Sequence, residues 1–109
     1  MALIVPQAQA VTGTSPVFTQ PTATDTIVPS DRGALVIRTT GTLTTATFTI
    51  PGNTAFGQAA PDVAVTTGAT DVKVVPMAAY VQAIDPATGT VAIGFSGALT
   101  GVTCAYITI

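Results

Sequence analysis

The chain has 109 residues, 48% of them apolar and 7% charged, and a formal net charge of −2 at pH 7. That length suits one domain with one modest core. Two arginines and one lysine are too few for a nucleic-acid backbone or an anionic membrane surface, both of which need clustered cations, and the absence of histidine removes the commonest general base and metal ligand.

Residues 1–24 hold Pro6, Pro16 and Pro21 among many Thr, Gln and Ala. Proline removes a ladder donor and favours extended backbone, so this stretch reads as an extended N-terminal arm with short strands at most, or as a disordered tail. Leu3, Ile4, Val5, Val17 and Phe18 would give such an arm apolar side chains to bury along a neighbouring subunit. The apolar run Ala2 to Val5 is short, ends at Pro6 and follows no Lys or Arg, so no secretory signal is expected.

From Asp25 the pattern is β throughout. Thr26 to Val28 forms a short strand stopped by Pro29, and Ser30-Asp31-Arg32-Gly33 reads as a turn. Gly33 to Thr39 follows with Leu35 and Ile37 on one face, and Leu43 to Ile50 sets Ala46, Phe48 and Ile50 against Thr45, Thr47 and Thr49. A period of two means one buried face, and two such runs joined by Thr40-Gly41-Thr42 predict a β-hairpin. Pro61 to Thr66 supplies Val63 and Val65, and Asp71 to Val75 supplies Val72 and Val74 with Lys73 between them. Met77 to Ala83 can form a helical turn, too short to matter to the fold. Asp85 to Gly89 is a turn, Thr90 to Phe95 alternates again, and the last strand runs to Ile109.

That last strand is apolar on both faces, with Val102, Cys104 and Tyr106 on one and Ala105, Ile107 and Ile109 on the other. It reads either as a central core strand or as one whose outer face meets another subunit. Cys104, the single cysteine, reads as a small buried hydrophobe. The expected fold is all-β: one antiparallel sandwich or barrel of about seven or eight short strands over residues 25–109, preceded by the arm over 1–24.

No catalytic, cofactor or metal site emerges. The five aspartates (Asp25, Asp31, Asp62, Asp71 and Asp85) are scattered singly, mostly beside turns, where Asp bonds nearby backbone. Ser15, Ser30 and Ser96 have no histidine to activate them. About a fifth of the chain is threonine, whose β-branched side chain suits a strand. The resulting surface is polar yet nearly uncharged, which fits a molecule held in an assembly better than one kept apart by charge. The interaction candidates are Leu3, Ile4, Val5, Val17 and Phe18 on the arm and Ile107 and Ile109 on the last strand.

Three segments carry a resemblance: Ala34-Leu35-Val36-Ile37-Arg38-Thr39 with Thr45-Ala46-Thr47-Phe48-Thr49-Ile50; Asp62-Val63-Ala64-Val65 with Val72-Lys73-Val74-Val75-Pro76; and the Asp85-to-Gly89 turn followed by Thr90-Val91-Ala92-Ile93-Gly94-Phe95 and Gly101-Val102-Thr103. In these the chain from about Asp25 resembles small virion proteins of tailed phages of actinobacteria, encoded beside the major capsid protein. The resemblance implies a non-enzymatic capsid decoration, or cement, protein. Made in the host cytoplasm, it would sit on the outside of the head, often as a trimer, and clamp neighbouring copies of the major capsid protein. It does not extend to residues 1–24. Alternatives are another virion module, tail-tube or fibre-associated, and a small receptor- or carbohydrate-binding sandwich.

Overall fold

Runs with a period of two become strands, and the strands stack in two layers with their apolar faces together. The structure, a computed structural model, describes residues 2–10, 12–42, 44–51, 58 and 61–108. Ile109, Phe56 and Leu43 lie outside the described residues. Among those described are nine strands: β1 (Ala2–Ile4), β2 (Pro6–Ala8), β3 (Thr24–Ile27), β4 (Gly33–Thr40), β5 (Thr45–Phe48), β6 (Val63–Thr66), β7 (Thr70–Pro76), β8 (Val91–Phe95) and β9 (Val102–Thr108). Sheet A has the order β1-β3-β8-β5-β6 and sheet B the order β2-β9-β4-β7. The fold is the expected all-β sandwich, and it does not close into a barrel.

The sheets are mixed where fully antiparallel pairing was expected. β1 runs parallel to β3, and β2 runs parallel to β9. The first stretch of chain, expected as an arm, thus holds two short strands that edge this chain's own two sheets. One residue, Val5, separates them. Pro6 opens β2, a place where an edge strand tolerates a missing N–H. Farther on, Thr19 exchanges backbone hydrogen bonds with Cys104 (3.0 and 2.9 Å), extending the same edge of β9.

The expected hairpin of residues 33–50 does not form. β4 lies in sheet B between β9 and β7, and β5 lies in sheet A between β8 and β6. Alternation shows that a strand buries one face but not whether its sequence neighbour lies beside it or across the core. Both edges of β4 are taken over seven residue pairs by β7 and β9, so the chain crosses to the other layer. Gly41, at φ +85°, makes the bend. Thr44 is wholly buried there and donates its hydroxyl to Ser96 O at 2.9 Å. Its backbone joins Thr67 at a second crossing, from β6 to β7. Buried threonines thus staple the two crossings together.

Leu35, Ile37, Ala46, Phe48, Ile93 and Tyr106 form the centre of the core. The short 3₁₀ helix Ala78–Ala83 matters more than its length implies, because Met77, Tyr80 and Ala83 are buried and Tyr80 stacks on Phe48 with ring centroids 4.5 Å apart. In β7 the register pairs Val75 with Leu35 and Lys73 with Ile37 on the inner face, leaving Val72 and Val74 outside. Lys73 remains exposed at the open rim. An inward charge and Pro76 on an edge strand are devices that discourage further strand pairing.

Candidate docking surface

The two outer faces of the sandwich differ in chemistry, and the sheet registers fix both. On sheet A, Thr24 and Thr26 of β3 face out beside Gly94 and Ala92 of β8, followed by Thr45 and Thr47 of β5 and Ala64 and Thr66 of β6. Among the described residues this face is a carpet of hydroxyl and methyl groups without a charge, with the exposed Leu3 of β1 at its edge beside Thr26. On sheet B, Val74, Val36 and Ala105 form one row across β7, β4 and β9, and Pro76, Ala34 and Ile107 form the next. Val72 and Val74 are 55% and 62% exposed.

Arg38 is the charged side chain on that face, and the ring of Phe18 lies 4.5 Å from its guanidinium carbon. The Thr19–Cys104 bridge sets Phe18 opposite Ala105, so the ring reaches across β9, and Ala105 is 2% exposed although it faces out. Gln7 holds this segment in place. Its side-chain amide donates to Val17 O and its carbonyl accepts from Val17 N, both at 2.8 Å, so one side chain imitates a strand partner.

Beside this face, between β1–β2 and residues 17–22, lies a cleft of about 310 Å³. Leu3, Val5, Val17 and Pro21 wall it, and Asp25 and Cys104 line it deeper in. Asp25 accepts hydrogen bonds from the backbone N–H and the hydroxyl of Thr22. Burial, aided by the charge of Asp25, pushes the Cys104 thiol up to about 11. At neutral pH it is a protonated, poorly nucleophilic thiol.

Four of the five aspartates accept hydrogen bonds from backbone N–H groups: Asp25, Asp62 (from Ile50), Asp71 (from Gly68 and Val72) and Asp85 (from Ala87). Of the interaction candidates read from the sequence, Leu3, Ile4, Val5 and Val17 come together at the cleft. Ile4 is half-buried there and packs against the core. Phe18 is committed to Arg38, and Ile107 lies half-buried on the outer face of sheet B beside Gln7. The sequence reading missed Val36, Val72, Val74 and Pro76. The signal available was valine on both faces of β7, as in Val72, Val74 and Val75.

Comparison of the chain with protein-family models, with curated proteins and with solved structures returned no match.

Proposed function

We propose that this chain is a structural virion protein, a capsid decoration protein. It binds the major capsid protein on the outside of a phage head and acts as a homo-oligomer, a trimer by the resemblance described above. The observation that carries this reading is the outer face of sheet B. The middle of that face, Val74, Val36, Pro76, Ala34 and Ile107, is apolar and built of small or branched side chains, Thr40, Thr70, Thr103 and Gln7 rim it, and among the described residues its one cation, Arg38, is already engaged by Phe18. The opposite face, carpeted with threonine, is suited to remain in water.

Magnitudes favour repetition over tight single contacts. The three long strands β9, β4 and β7, of seven or eight residues and about 4.8 Å apart, give a footprint of roughly 350 Å² per partner. At about 25 cal/mol per Å² the apolar part of both surfaces contributes on the order of 10 kcal/mol. Association costs about 4–15 kcal/mol, so one copy alone binds weakly. Linked copies engaging several sites at once overcome this by effective concentration, as a decoration protein on a repeating shell does.

Cryo-electron microscopy of the particle tests the reading. Density for this chain on the outer surface of the head is expected, with sheet B facing the shell. Val36→Lys should abolish binding to undecorated heads while the domain stays folded. Recovery of the chain with purified tails, or saturable binding to glycans in place of heads, would overturn it.

A further inference from the structure

The outer side of sheet A carries a second cleft, of about 230 Å³, at the end where β8 begins. Four hydroxyls and one carboxylate converge on it from separate stretches of chain: Thr26 of β3, Thr49 just past β5, Asp85 and Thr88 of the turn, and Thr90 just before β8. Pro51 and Ala92 complete the lining with apolar surface. Backbone hydrogen bonds fix these stretches. Thr49 N–H donates to Ala92 O and Asp85 N–H donates to Thr90 O, both at 3.0 Å, and Gly89 N–H closes the turn onto Asp85 O at 2.7 Å. The cleft is therefore built before any ligand arrives. Its polar groups have capacity to spare. One oxygen of the Asp85 carboxylate accepts from Ala87 N–H at 2.9 Å, which leaves the other for a ligand. The hydroxyls of Thr88 and Thr90 lie 3.0 Å apart, so one donates to the other and the pair still offers a proton and lone pairs.

We infer that this cleft binds a neutral polyhydroxylated ring, one hexopyranose residue of a glycan. Hydroxyls that both donate and accept match a ligand whose own groups do the same. A carboxylate takes hydrogen bonds from ligand hydroxyls, and such charge-assisted bonds are the strong ones. Pro51 and Ala92 offer the C–H face of the ring an apolar seat. The one charge among the lining residues is negative, which turns away phosphates and acidic sugars. Calcium is poorly served by a single carboxylate among hydroxyls, and among the described residues no three His, Cys, Asp or Glu side chains gather to hold a metal. No aromatic ring lines the cleft, so one sugar is held weakly, with a Kd of about 1–10 mM. Copies repeated over a surface raise this by avidity. The cleft lies on the opposite side of the sandwich from the outer face of sheet B, so sugar binding adds to docking there and does not depend on it.

The test is a titration of the isotope-labelled full chain, followed by amide chemical shifts, with glucose, galactose, mannose and N-acetylglucosamine, and with inorganic phosphate as the anionic control. At least one neutral sugar should shift the amides of Thr49, Asp85 to Thr90 and Ala92 saturably, and phosphate should leave them in place. Asp85→Asn keeps an oxygen for the Ala87 N–H but loses the charge, and should weaken binding about tenfold. Thr49→Val, at an exposed position, should weaken it about threefold, and it carries the test if Asp85→Asn does not fold. Val36→Lys, on the outer face of sheet B, should bind the sugar like wild type, which separates this site from capsid docking. No saturable shift with any of the four sugars, shifts confined to other residues, a stronger response to phosphate, or full affinity in the folded Asp85→Asn and Thr49→Val variants would each overturn the inference.

Discussion

Single side chains fix most of what is distinctive here. Phe48 is wholly buried and stacks on Tyr80, so Phe48→Ala should cost about 3–5 kcal/mol in chemical denaturation. Gly101 sits at φ +84°, and a Cβ there would fall 2.5 Å from Thr40 O. Gly101→Ala therefore combines a strained backbone with a clash and should cost more than about 1 kcal/mol. Cys104 offers a pH test. Folding raises its pKa from 9.0 to about 11, so its contribution to stability is fully present below pH 9 and is lost as pH rises to about 11. Denaturation midpoints should fall over that window, and Cys104→Ser should remove the part of the fall due to this thiol. Asp71 acts at the other end of the scale. The N–H groups of Gly68 and Val72 hold its carboxyl below 3.8, so the stability it contributes is present above that pH and lost on acidification through the lowered value.

At the scale of elements, the N-terminal strand pair deserves a direct experiment. β1 and β2 edge both sheets, Ile4 packs against the core and the cleft beside them reaches Cys104. A chain lacking Ala2–Gln9 should keep β3–β9 folded with reduced stability, and its Cys104 should react faster with a soluble disulfide reagent. Equal labelling rates in the two chains would show that this strand does not guard the thiol. These elements also mark how far the sequence is readable. Strand positions were legible because alternation is local: Leu35, Ile37, Ala46, Phe48, Val91, Ile93 and Phe95 all face inward. Pairing was not, because β4 and β5 carry the same alternation whether they lie side by side or face to face. The inward turn of Lys73 was hidden for a related reason, since a one-residue change of register exchanges the faces of a strand.

For the whole molecule, the low charge is the governing property. Leu3, Val5 and Val17 were legible as apolar candidates, but their meeting in one cleft depends on parallel pairing across most of the chain, which no local pattern encodes. With 7% charged residues, screening should matter little to contacts with copies or with a shell. Raising sodium chloride should leave assembly unchanged, and sulfate should strengthen it by favouring apolar burial. Marked weakening in salt, read by sedimentation, would point instead to an electrostatic contact.

The pairing of β2 with β9 joins Pro6 to Tyr106 and Ala8 to Thr108, segments separated by almost the whole chain. Long loops are costly to close before their contacts form, so β3–β9 should reach native order first and the leading strand should dock last, like a latch on a finished box. In pulse-labelled hydrogen exchange during refolding, the amides of residues 7–9 should therefore gain protection later than those of β4.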